Sequence, residues 1–404
     1  MVRLLKNILT TLVMGALVAG CATTNYGRKV APEAKLEKAV VELPEQQILD
    51  VWIELFDPGE LPEQETESLG LYPEIRAAEA RFMPSHLRQI MERTGYWGAV
   101  RVVPRDTIGA EVLVGGKIIE SNGEYLEIEI TARDATGKIW YTRTYQGYAD
   151  DQEGQIRGEG EDGFEHVYYA VANDLAEFRS SLEENDPATI RRIAEMRFAA
   201  DMLPDAFSDH IQMDDQRSFS LVRLPAEDDP AFQRVQIIRD RDFQLIDTLN
   251  GYYENFYREL EIPYEEWRKA RNIEAEALRE AKSKAAKRKA LGAMAILGAI
   301  AIEVFGGQNT RASTSSARDV MILGGAYSIK RGMDIGAESE IHRAAIEELG
   351  ESFVSEARPL VIEVDGETLE LKGSAEEQYK QWRELMRKIY ASETGLEPVS
   401  ISTY

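Results

Sequence analysis

The sequence predicts an α+β protein. A small α/β sheet-and-helix domain is followed by a mainly helical region and then by a small hairpin-plus-helices carboxy-terminal part. Three observations carry that reading. Asn122-Gly123 and Asp365-Gly366 each join two strand-like runs with a dipeptide suited to a tight hairpin turn. Phe164, Val167, Tyr168, Val171, Leu175, Phe178 and Leu182 recur at the spacing of one helix face. Hydrophobic residues make up 44% of the 404 residues, too many for global disorder and enough for two or three packed domains.

The elements follow in order. Residues 48–57, ILDVWIELFD, have the apolar density of a strand. Pro73 suits a first helical position, and Met83, Leu87, Ile90 and Met91 continue at helical spacing. Pro84 is expected to kink or restart that helix, and Gly95 to end it. Residues 96–104 form a strand, 110–121 and 124–134 a hairpin, and 139–148 a further strand after the turn at 134–138. The helix over 164–182 closes this domain, which spans 46–185.

Residues 186–290 read as helical. Asp186-Pro187 and Asp229-Pro230 each place an N-cap acid before a first-turn proline, and 217–225 is one short strand. Ile246, Leu249, Tyr253, Phe256 and Leu260 make a stripe, and Pro263 starts a new charged helix running toward the apolar stretch that follows. Residues 291–336 read as a Gly/Ala-rich apolar hairpin. In 337–397, Ile341, Ala345, Leu349 and Phe353 mark a helix and 359–373 a hairpin. Ser374 and Glu377 form a capping box before a helix carrying Tyr379, Trp382, Met386, Ile389 and Tyr390.

The amino terminus gives an address. Arg3 and Lys6 precede an apolar run over 8–17, and the chain's one cysteine follows small residues. Val18-Ala19-Gly20-Cys21 resembles the lipobox of bacterial lipoproteins. In that family the signal is cut before the cysteine, here after residue 20. The thiol takes a diacylglycerol and the new amine is usually acylated. Residues 21–45 then read as a tether. Ala22 follows Cys21 where Asp would mark inner-membrane retention, so the resemblance implies the outer membrane, with the body in the periplasm. Acyl chains anchor durably because each buried methylene contributes about 0.8 kcal/mol.

The formal net charge is −24, and loss of Arg3 and Lys6 takes it to −26. That balance repels nucleic acid, so no nucleic-acid partner is expected. The order of elements over about 140 residues resembles the α/β domain of curli-secretion-channel lipoproteins and the amino-terminal domain of the Tol-system periplasmic propeller protein. VWIELFD, GAVRVVP, the 112–140 hairpin region and the 164–182 helix carry the likeness. The two β-hairpins that build a curli-type transmembrane barrel are not recognisable in this sequence, so the resemblance does not extend to a channel.

No motif supplies a catalytic, cofactor-binding or metal-binding residue, and none is expected. The glycines of GEGEDG (158–163) have nucleotide-loop spacing, but three acids there would repel phosphate. Those acids, with Asp150, Asp151 and Glu153, lack the ligand rhythm of an EF-hand. His86, His166, His210 and His342 stand apart and read as surface or structural residues. Asp228-Asp229 and the run Arg239-Asp240-Arg241-Asp242 read as local ion pairs on helix ends. Tyr252, Tyr253, Phe256, Tyr257, Tyr264 and Trp267 suit a packed helix face better than a glycan platform.

Arg279, Lys282, Lys284, Lys287, Arg288 and Lys289 directly precede thirteen uncharged residues, 290–302, too few for a simple span. Lys287, Arg288, Lys289, Leu291, Ile296, Leu297 and Ile300 are the candidate contact residues of this junction. A buried helix pair, a self-association surface and membrane contact all accord with it. The expected partners are the lipid of the anchoring membrane, other envelope proteins and a second copy of the chain. The expected role is a non-enzymatic one in an envelope assembly, secretion or surface-structure apparatus. The alternative is a periplasmic enzyme acting on peptidoglycan or glycan with carboxylates gathered by folding. Cys21→Ser is expected to release the protein from the membrane fraction. Continued sedimentation with outer membranes would mean another anchor.

Overall fold

The computed structural model describes residues 34–61, 72–149, 162–226, 228–305, 344–345, 347–348, 360–364 and 367–394. The lipobox, the acidic loop 150–161, the second arm of the apolar hairpin and His342 lie outside them. An α+β architecture is present. Strands β1 (Val51–Glu54), β2 (Val100–Val103), β3 (Val112–Ser121), β4 (Tyr125–Asp134) and β5 (Ile139–Tyr148) form one sheet in the order β2-β1-β3-β4-β5. β1 lies parallel to both neighbours, whereas β3, β4 and β5 run as an antiparallel meander. A central strand is covered on both faces, which is why VWIE is apolar almost throughout. Val51 and Ile53 enter a core with Val114, Ile128 and Ile130, helix α1 (Pro73–Glu92) and helix α2 (Glu165–Ser180). Trp52 points the other way, into a second core.

Two glycines are dictated by geometry. Gly123 has φ +85° in the β3–β4 turn, where Asn122 Oδ1 accepts the N–H groups of Glu124 and Tyr125. A Cβ on Gly116 would stand 2.4 Å from the Phe56 ring, so only glycine lets that ring close onto β3.

Helix α1 passes through Pro84 without ending. Pro84 has no N–H for the carbonyl of Ala80, four residues back. That carbonyl instead accepts the N–H of Phe56 at 3.0 Å. The break expected from sequence becomes a tie between α1 and the chain leaving β1.

Beyond the sheet come α3 (Asp186–Met202), the single turn α4 (Pro204–Phe207), a ribbon of β6 (Ile211–Met213) with β7 (Phe219–Leu221), the long α5 (Pro230–Phe305), the hairpin β8 (Leu360–Val364) with β9 (Glu367–Leu371), and α6 (Ala375–Thr394). Asp229 caps α5 through the N–H groups of Ala231 and Phe232, as its sequence position suggests. Asp186 instead sits inside the first turn of α3 and accepts the N–H of Glu183. The capping box forms: Ser374 N–H donates to Glu377 Oε2, and Glu377 N–H to Ser374 Oγ.

Pro263 does not start a helix. It lies within α5, which continues across residues 290 and 291 to Phe305. Leu260, Tyr264 and Trp267 are buried on both sides of Pro263, so packing holds the backbone through the lost hydrogen bond.

α5 also closes the sheet. β2 is an edge strand, and its backbone groups would otherwise offer a template for pairing. The side chain of Asn250 pairs with both groups of Val102. Its Oδ1 accepts the N–H at 2.7 Å and its Nδ2 donates to the carbonyl at 3.1 Å. Asn250→Ala would leave two buried backbone groups unpaired and is expected to lower stability by roughly 2–4 kcal/mol. Asn250→Asp keeps only the acceptor and should fall between. Urea midpoints at constant slope would measure both.

Candidate functional site

Three helices that are distant in sequence meet around one buried imidazole. His86 lies on α1 and is 3% exposed. Its Nε2 bonds Glu165 Oε2 at 2.8 Å, in the first turn of α2. Its Nδ1 bonds Tyr257 Oη, also at 2.8 Å, on α5. Glu165 accepts a second bond from Arg93 Nη1 at 3.2 Å, and Arg93 Nη2 donates to Tyr169 Oη. Phe82 stacks on Tyr257 with centroids 4.7 Å apart, and Tyr168 meets the imidazole edge-on. The spacing places these groups without special devices. Phe82 and His86 are one helical turn apart, and Glu165 opens a helix whose N-terminal dipole favours a carboxylate.

A second polar group adjoins the first. Glu79, one percent exposed, accepts from Ser121 Oγ at 2.5 Å and from Tyr264 Oη at 2.8 Å. Its other oxygen stands 3.3 Å from Arg76 Nε. Arg76 also donates to the carbonyl of Pro58 at 3.1 Å and to that of Ser121 at 3.3 Å. Tyr257 and Tyr264 therefore tie α5 to both halves of α1.

Electrostatics define what the cluster can do. Burial works against a charged His86, but the Glu165 hydrogen bond with the charges of Asp162, Glu165 and Glu261 outweighs it and raises the imidazole above its ordinary 6.5. Burial likewise opposes charge on Glu165, yet its bond to His86 and the nearby Arg93 hold it below the usual carboxylate value. Both shifts favour the charged forms of the pair. Burial, then the charges of Glu261, Asp162 and Glu165, push the Tyr257 phenol upward. Through these two bonds the imidazole links α1 to α2 and to α5.

The sequence-derived positions distribute unevenly. Lys287, Arg288, Lys289, Leu291, Ile296, Leu297 and Ile300 all fall on α5, with side chains outside the described residues. Cys21 lies outside them as well. Tyr253, Phe256, Tyr257, Tyr264 and Trp267 are buried, so the aromatic group is packing surface and no exposed platform. The run 239–242 departs from the expected local pairing. Asp242 is 0% exposed and accepts from Trp382 Nε1 at 3.1 Å on α6, while Arg239 reaches Glu195 on α3 at 2.8 Å. Both partners are supplied by other helices. Among the described residues, no group of three or more His, Asp or Glu is placed to hold a metal ion. The His86 cluster was invisible to motif reading because its partners lie 79 and 171 residues away.

The sign of the pH dependence follows from the shifts. His86 is raised, so its stabilising contribution is complete below pH 6.5 and is lost as pH climbs through its folded value. Glu165 is lowered, so its contribution is present above 4.5 and is lost as pH falls through its folded value. Glu165→Gln is expected to cost about 3 kcal/mol and to bring the His86 titration, read by NMR of the imidazole, below 6.5. An imidazole that titrates unchanged in this variant would show that the pair does not govern it. Comparison with protein-family models, with characterised proteins and with solved structures gives no match.

Proposed function

We propose that this protein is a lipid-anchored, non-enzymatic component of a bacterial envelope assembly, tethered through Cys21 to the outer membrane with its body in the periplasm. The observation that carries the reading is the continuity of α5. Its first part is built into the body through the second core and through a third, in which Phe256, Leu260 and Trp267 pack against Ile75, Ala78 and Phe82 of α1. From Ile273 to Phe305 the same helix rises about 48 Å more, at 1.5 Å per residue. Over that length the sequence carries the six cations of 279–289 and then the uncharged run 290–302.

Thirteen helical residues rise about 20 Å, short of the ~30 Å hydrocarbon core. No helix among the described residues is long and apolar enough to cross a membrane. Ala295 and Ala299 lie one turn apart, a spacing that permits close approach of a second helix. A helix rooted in a folded body and ending in such a segment suits self-association within a larger assembly. The lipobox residues supply the membrane address, and the burial of the His86 cluster where three helices meet suits a structural use of that site.

Deleting 290–338 is expected to lower the mass measured by light scattering to that of the monomer. The near-UV circular dichroism of the α/β body should persist. An unchanged mass would end the self-association reading.

A further inference from the structure

A cleft of about 250 Å³ opens beside the loop from β2 to β3, lined by Asp106–Ala110, Leu113, Arg133, Asp134 and Arg197. It is below the roughly 300–1,000 Å³ of sites for drug-sized ligands, so only a small molecule would fill it. Two guanidinium groups share it, Arg133 from β4 and Arg197 from α3. Among the described residues neither has a carboxylate oxygen within 4.0 Å, and Arg133 makes no side-chain hydrogen bond. Arg197 donates one bond, from Nη1 to the carbonyl of Ala135, and lies 4.2 Å over the Phe219 ring. Its remaining donors have no partner among the described residues.

Two of the three carboxylates near this cleft are already engaged. Asp134 accepts from Trp140 Nε1 at 2.8 Å and from Thr136. Glu54 accepts the N–H of Asp106 at 3.1 Å. The third, Asp106, lines the cleft in a left-handed conformation, φ 63°, that aspartate adopts more readily than most non-glycine residues.

The loop adds an independent observation. The backbone N–H groups of Thr107, Ile108, Gly109 and Ala110 make no hydrogen bond among the described residues, although Thr107 and Ala110 are buried. Buried backbone donors are almost always paired. Burial and repulsion from Arg133 both press Arg197 toward a lower pKa, with Asp134 offsetting only in part. A strongly acidic chain has thus placed two guanidinium groups, Arg133 exposed and Arg197 half-buried, on one cleft beside a row of unused donors, with the Glu54 carboxyl within the field of Arg133.

We infer that this cleft binds a small organic anion, with the forks of Arg133 and Arg197 gripping a carboxylate or phosphate group and the 107–110 amides completing its shell. Arginine forks match both anion types in planar, two-bond geometry. The cleft lies on the α/β body, so the inference stands apart from the membrane anchor and from the self-association of α5.

The full-length chain in detergent would be titrated calorimetrically with inorganic phosphate and, separately, with succinate. At least one probe is expected to saturate a single site below about 10 mM and to keep binding at ~0.15 M salt. Saturation by phosphate alone assigns a phosphoryl ligand, by succinate alone a carboxylate, and by both a site that accepts either. Arg133→Ala removes no intramolecular bond, so it should fold and weaken binding about tenfold. Arg133 is exposed, and its repulsion of Arg197 is offset by its attraction to Glu54, so the melting temperature without anion should stay close to that of the parent chain. Arg197→Lys keeps the charge but loses the fork, and should weaken binding as well. Failure of both probes to saturate, or unaltered affinity in Arg133→Ala, would overturn the proposal.

Discussion

The bond between His86 and Glu165, extended to Tyr257, is the constraint on which the packing of this body rests. α1 and α2 lie on the sheet through apolar contacts that would tolerate some sliding. α5 reaches them only after a long stretch of chain, and side chains alone decide where it docks. Burying an ion pair costs several kcal/mol of hydration per ion, which attraction alone does not always repay. Here the network is filled. Imidazole, carboxylate and phenol find partners, Arg93 adds a donor, and Phe82 stacks beneath Tyr257. Shifting α5 by one turn, about 5.4 Å, would strand His86 Nδ1 and remove Tyr264 from Glu79. A hydrophobic contact would have softened that shift; the polar one forbids it.

The parts of the fold legible in sequence are those written locally. The α2 stripe, the Asn-Gly hairpin and the Ser374–Glu377 box each depend on residues within a few positions, and each forms as its spacing dictates. Prolines misled for a consistent reason. Pro84 and Pro263 break a helix in isolation, but the first frees a carbonyl that Phe56 takes up, and the second is flanked by buried Leu260 and Tyr264. Propensity lost to tertiary contact in both places. Polar clusters were least legible. Asp242 beside Arg239 and Arg241 looks like an exposed pair, and only the arrival of Trp382 makes it a buried anchor. Nothing near His86 signals Tyr257, because hydrophobic period reports which face is buried and is silent on what that face meets.

The distribution of charge follows the same division of labour. The surplus of acid lies along the whole sequence, whereas arginines take the demanding positions. Arg76 satisfies Glu79 and two carbonyls, and Arg383 reaches Asp201 on α3 and Asp242 on α5. A planar guanidinium can bind several acceptors at once while its stem packs on apolar surface, as Arg383 does over Phe198. Lysine, a point charge on a flexible stem, would fix neither angle.

Along α5 these anchors recur with a rhythm. Asn250 grips the edge of β2, Tyr257 the His86 pair and Tyr264 the Glu79 group, each seven residues from the last. Seven residues are close to two helical turns, so the three polar contacts fall along nearly one line. Tyr253, Phe256 and Leu260 fill the intervals, and Leu249 and Trp267 flank them. An apolar stripe alone would favour docking with little choice of register; polar teeth at two-turn spacing admit one alignment and penalise its neighbours. The same helix carries the basic and apolar segments beyond Ile273. Whatever those segments contact, the line of Asn250, Tyr257 and Tyr264 fixes their root to the sheet, and a force on the far end of α5 is borne first by the buried Arg271 and Arg268 and then by Trp267 and Tyr264.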